Sequence, residues 1–154
     1  MSARQVERLR QVCLSYPEAN ERLSHGEPTW FAGRGKVFAM LDDHHHGAAH
    51  LAVWLPQPPG VQQDLIALDP ARFFRPAYVG PSGWVGVVLD GAPDWKLVEQ
   101  LVREAYLFVA SKTLRQRLLE GPGAGRPTPQ PSTRRRRGVR TSTPGPSRAG
   151  RAPR

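Results

Sequence analysis

The tightest constraint on this chain lies in residues 13–41, CLSYPEANERLSHGEPTWFAGRGKVFAML. Within 29 residues it holds a helix end, a polar turn and a two-strand hairpin. Val6, Leu9, Cys13 and Tyr16 recur at three- and four-residue spacing, which predicts a helix over 3–15 with one apolar face. Pro17 stops it, because the residue before a proline is biased away from helical angles. Residues 18–27 are polar and read as turn. Strands follow at 29–32 and 36–41, joined by Gly33-Arg34-Gly35-Lys36. Gly33 and Gly35 are expected to supply the positive φ angles of a tight hairpin. Val37, Ala39 and Leu41 should face one way, and Phe38 and Met40 the other.

The remaining elements continue this pattern. A third strand reads at 50–55, closed by Pro56. Pro58-Pro59-Gly60 opens a short helix to about residue 68, with Val61, Leu65 and Leu68 on its apolar face. Two more strands, 73–79 and 84–89, flank the turn Gly80-Pro81-Ser82-Gly83. A last helix is expected over 94–119, with Asp94 as its N-cap. The order is α-β-β-β-α-β-β-α. Short turns make neighbouring strands antiparallel, so the class is α+β: one antiparallel sheet of about five strands with helices packed on one face.

Charge divides the chain at about residue 120. Residues 1–120 hold 13 basic and 13 acidic side chains, whereas residues 121–154 hold nine arginines and no acid. That last segment also has six glycines, seven prolines, no aromatic residue and a single large aliphatic one, Val139. It has too little apolar surface to offset the roughly 1–2 kcal/mol per residue that ordering costs. We read 1–120 as one folded domain and 121–154 as a disordered basic tail. The lone Cys13 excludes an internal disulfide framework. No signal-like or membrane-spanning apolar run is present, so a cytoplasmic protein without membrane contact is expected.

Several short pieces, in order, resemble the MmcQ/YjbR-like family. They are Tyr16-Pro17-Glu18-Ala19, His25-Gly26, Trp30-Phe31, Gly35-Lys36-Val37-Phe38-Ala39, Arg75-Pro76-Ala77-Tyr78-Val79-Gly80 and Gly83-Trp84-Val85-Gly86. Asp94-Trp95 then leads into a helix carrying Tyr106 and Lys112. The resemblance spans about residues 6–119 and implies a compact α+β domain of the double-wing DNA-binding type. The basic tail lies outside it.

Candidate contact residues follow from charge and ring chemistry. Arg34 and Lys36 on the tight turn, with Arg75 and Lys112, are candidates for phosphate contact. In the tail Arg134, Arg135, Arg136, Arg137 and Arg140 form the strongest polyanion signal. His25, Trp30, Tyr78 and Trp84 are candidates to line a groove, while the other aromatic residues, Trp54 among them, are assigned to the core. The run His44-His45-His46, near Asp42, Asp43 and His50, has metal-ligand chemistry. Adjacent residues on an extended loop point in different directions, however, so it reads as a surface loop. No metal or cofactor is expected. Cys13, on the apolar stripe of the first helix, reads as an inert buried thiol.

No residue set reads as catalytic. The expectation is a small non-enzymatic protein that binds DNA, with the tail adding sequence-independent affinity. The alternative is a protein-interaction or small-ligand-binding module with an incidental tail.

Overall fold

A computed structural model describes residues 2–44 and 49–121. Helix α1 (Ser2–Leu14) buries Leu9 and Cys13, as its apolar spacing requires. It ends where Ser15 turns both its backbone N–H and its hydroxyl onto the Val12 carbonyl. Strands β1 (Ala19–Ser24), β2 (Glu27–Ala32), β3 (Val37–Asp43) and β4 (Leu51–Leu55) follow as an antiparallel meander. Helix α2 (Val61–Leu68) leads to the two-residue strand β5 (Phe73–Phe74). A 3-10 turn (Gly80–Ser82) precedes β6 (Val85–Val88). Helices α3 (Trp95–Val109) and α4 (Lys112–Glu120) close the order. The sheet has six antiparallel strands in the order β1-β2-β3-β4-β6-β5, which makes the class α+β.

Register assigns the faces, because directly opposed residues share one. The pair Trp30 and Ala39 and the row Leu41, Val53 and Val87 lie on the face covered by α1 and α3. They pack there against Leu9, Cys13, Val98, Val102 and Tyr106. Thr29, Met40, Trp54, Gly86 and Phe74 form the matching row on the opposite face.

The structure corrects several expectations. Residues 19–24 form a strand, not a turn, so the sheet has six strands rather than five. All six pair with β2, and backbone pairing needs no apolar alternation in the side chains. Pairing passes from Trp30–Ala39 to Phe31–Val37, so Phe38 is the extra residue of a β-bulge. The bulge turns Phe38 into the core, edge-on to Tyr106 (5.2 Å) and Tyr16 (6.0 Å), rather than onto the face of Met40. Gly33 has φ +64°, but Gly35 does not take a positive φ. Leu68 is 75% exposed and leaves the apolar stripe of α2 to Leu65 and Ile66.

The expected strand over 73–79 stops at Phe74, because Pro76 cannot donate to the ladder and Tyr78 takes φ +63°. The last helix is two helices. It breaks at Ala110, and Ser111 caps α4 by accepting a hydrogen bond from the Leu114 N–H at 3.2 Å.

Candidate functional site

Two surface features gather candidate contact residues. The first is a cleft of about 430 Å³ on the sheet face turned away from α1 and α3. Met40 and Trp54, paired neighbours on β3 and β4, form its floor. The tip of the β1–β2 hairpin supplies Ser24, His25 and Glu27, and Tyr78 and Val79 close another side. Trp54 is 3% exposed, whereas Tyr78 is 77% exposed and stands at the rim. His25 and Tyr78 both hold left-handed backbone, at φ +56° and +63°.

Glu27 and Asp42, two residues beyond the paired Thr29 and Met40, bring two buried carboxyl groups to the same cleft. Glu27 is fixed across the strands by the Asp43 N–H, which donates to its Oε2 at 3.1 Å.

The second feature is a corner built on the β2–β3 turn. Arg34 and Lys36 are exposed there and line a shallow cleft of about 500 Å³ with Val109, Ser111, Thr113 and Leu114. Lys112, also exposed, lies between two of those lining residues at the first turn of α4. Gly33 is required at this contact twice over. It takes φ +64°, and a Cβ on it would fall 3.2 Å from Leu114 Cδ1.

Glu18 joins turn and helix. Its carbonyl accepts from the Gly33 N–H at 3.0 Å, and its carboxylate accepts from Arg117 Nη1 at 2.7 Å. The Asn20 amide donates to the Gly33 carbonyl at 2.8 Å.

Ion pairing separates the cations. Arg8 meets Glu99 at 3.3 Å, Arg10 meets Glu21 at 2.8 Å and Glu7 at 2.9 Å, and Arg117 is held by Glu18. Among the described residues, Arg34, Lys36 and Lys112 form no ion pair. Arg75 is not part of this corner. It follows β5, with β4 and β6 between it and the β2–β3 turn, and lies against Gly80. Arg134, Arg135, Arg136, Arg137 and Arg140 lie outside the described residues.

The groove candidates divide. His25 and Tyr78 meet in the first cleft. Trp30 is fully buried on the opposite face, where its indole N–H donates to Glu21 Oε1 at 3.0 Å. Trp84 is half-buried and gives its carbonyl to the Gln62 amide, which also donates to Gly80 at 2.9 Å. Glu27, Met40, Asp42 and Trp54 are cleft residues that sequence reading missed. The signal that finds them is strand register, since they lie on one face of three adjacent strands.

His44 and His50 are drawn to different carboxylates. His44 Nδ1 meets Asp43 at 2.7 Å, a bond that raises its pKa, and His50 lies 3.6 Å from Asp90. His45 and His46 lie outside the described residues. Burial holds the Cys13 thiol well above the usual range, so it is no thiolate nucleophile at neutral pH. Burial also raises Tyr16 and Tyr106 to about 12, and the Tyr106 hydroxyl donates to the Pro17 carbonyl at 2.7 Å. No helix among the described residues is long and apolar enough to cross a membrane.

Comparison with known proteins adds three findings. A family model described as YjbR matches residues 14–108. No curated protein sequence matches the chain. A crystal structure of a Deinococcus radiodurans protein with a DUF419 domain is similar at TM-score 0.60 and 23% identity. That alignment covers 78% of this chain and 94% of the other, and at this identity the likeness is one of fold.

Proposed function

The chain belongs to the YjbR family, and from that premise we propose that it is a non-enzymatic DNA-binding protein that engages the phosphate backbone at the β2–β3 corner. One observation carries the reading. Exposed Arg34, Lys36 and Lys112 share the corner at which α4 begins, and residues 122–154, which follow that nine-residue helix, hold nine arginines and no acid. Three other cations of the domain, Arg8, Arg10 and Arg117, are held by carboxylates, and the 13 basic and 13 acidic side chains of residues 1–120 support a local rather than a broad contact.

The two cation groups work as linked partners. Once tail arginines hold a duplex, the corner meets phosphate at a raised effective concentration, so weak contacts suffice to orient the domain. The attraction is electrostatic and carries no sequence information by itself.

Fluorescence anisotropy of a labelled duplex across a salt series tests this with the full chain. The slope of log K against log salt should become shallower by about 0.9 for each phosphate contact removed. Replacing Arg34, Lys36 and Lys112 together by Ala should reduce both the slope and the affinity. Replacing Arg134, Arg135, Arg136 and Arg137 by Ser should reduce them further. Unchanged binding in the corner variant would overturn the role assigned to the domain.

A further inference from the structure

We propose that the sheet face of β1–β3 turned away from α1 and α3 binds an unpaired DNA base, stacked on the guanidinium of Arg22. The proposal rests on the DNA-binding reading and adds to it a contact that the phosphate corner does not make.

Strand register builds the platform. Arg22 on β1 is opposite Thr29 on β2, which places it on that face. Phe31, two residues beyond Thr29, shares the face. The Arg22 guanidinium lies over the Phe31 ring, its central carbon 3.7 Å from the ring centre. A planar cation thus sits on the ring with its other side toward solvent, Arg22 being exposed. Among the described residues Arg22 forms no ion pair. Phe31 is half-buried, as is Val37, its partner on β3. Of the helices, α1 and α3 pack on the other face, and α2 packs against β5, at the far edge of the sheet from β1.

Charge selects the occupant. Arg34 and Lys36 stand on the turn just beyond Phe31 and β2, so three cations free of ion pairs gather at this end of the hairpin. Glu27 and Asp42 lie toward the opposite end of the face. A DNA strand whose phosphates meet the turn can lay its neighbouring base over Arg22 and Phe31. An unpaired base presents a bare π face to the guanidinium plane, and this stacking is tolerant of sequence. A base inside a duplex has both faces covered by its neighbours and does not reach the platform. An uncharged aromatic ring would stack as well, but it brings no phosphates for the cations at the turn.

Fluorescence anisotropy with the full chain tests the platform. Two duplexes carry the same single-stranded overhang, one of thymines and one of abasic sites, which keeps every phosphate and removes the rings. The thymine overhang should bind about fivefold more tightly or better, the scale of one stacked base. Phe31→Leu and Arg22→Lys should each bring the two probes to near-equal binding. Arg22→Lys keeps the charge at an exposed position, so the salt slope should stay as in the parent while the preference is lost. Because Phe31 is half-buried, that variant carries the test if Phe31→Leu fails to fold. Replacing Arg34, Lys36 and Lys112 by Ala should weaken both probes alike and keep their ratio. Failure of the corner is therefore read on absolute affinity, and failure of the platform on the ratio. Equal binding of the two overhangs by the parent, or a preference untouched by Arg22→Lys, would overturn the proposal.

Discussion

Gly86→Ala is the sharpest test of the packing on the cleft face. Gly86 lies within β6, between Trp54 of β4 and Phe74 of β5. A Cβ added there would fall within 2.6 Å of three atoms of the Phe74 ring. Carbon atoms in contact rest at about 3.5–4 Å, so the ring must retreat by about 1 Å. It has room to do so, because β5 is a two-residue edge strand and Phe74 is only half-buried. The cost therefore falls in the overpacking range of about 1–3 kcal/mol. Gly86 does not take a positive φ, so alanine also restricts the unfolded chain and returns about 0.4–1 kcal/mol.

The net expectation is a loss of about 1–2 kcal/mol, or about 3–8 °C in Tm for a domain of this size. Urea denaturation should show a lower midpoint at unchanged m value. The double-mutant cycle with Phe74→Ala supplies the control, since removing the ring should make Gly86→Ala neutral or stabilising. A coupling of about 1–2 kcal/mol between the two sites is expected. Strict additivity, or a Gly86→Ala protein as stable as its parent, would refute the reasoning.

Four further outcomes are expected. Glu21→Ala should cost about 1–3 kcal/mol, because it strands the buried Trp30 N–H as well as Arg10, while Glu21→Gln keeps an acceptor for Trp30 and should cost less. Arg10 also lowers the Glu21 pKa below its ordinary 4.5, so the stability this pair supplies is present above that value and is lost as pH falls through the lowered one; the parent's acid denaturation curve should show a loss of stability there that Glu21→Gln lacks. At the alkaline end, Tyr16 and Tyr106 favour the protonated form when folded, so their contribution is full below pH 10 and drains as pH rises toward about 12; a tyrosinate absorbance titration should be coincident with loss of structure. Cys13 should react with a thiol reagent only as the protein opens, with a rate that rises through the denaturation transition.

The core was the most legible part of the fold. Leu9 and Cys13 lie where helical spacing put them, because burial of one face is what creates that spacing. Three features escaped for separate reasons. Asn20-Glu21-Arg22 has no apolar alternation, and β1 forms because its backbone completes β2 and Glu21 bonds Trp30. Phe38 follows no two-residue period, since a bulge inserts it out of phase. The break at Ala110 is set by the Ser111 cap, which the expectation of one helix over 94–119 passed over.

Site residues followed the same division. Arg34 and Lys36 were legible because both sit on one local turn. The cleft was not, because it draws on the β1–β2 hairpin, β3, β4 and the segment after β5. Only pairing register brings these together.

Glu18 has a mechanical consequence. A pull along the chain beyond Gly121 enters the domain through α4. From there it reaches the β2–β3 turn by two routes: Leu114 resting on Gly33, and Arg117 held by Glu18, whose carbonyl holds Gly33 in turn. Tension in the C-terminal segment is thus delivered to the tip bearing Arg34 and Lys36 before it strains the sheet ladder. In force spectroscopy with the handle at the C-terminus, α4 should peel away at low force and leave the six strands paired.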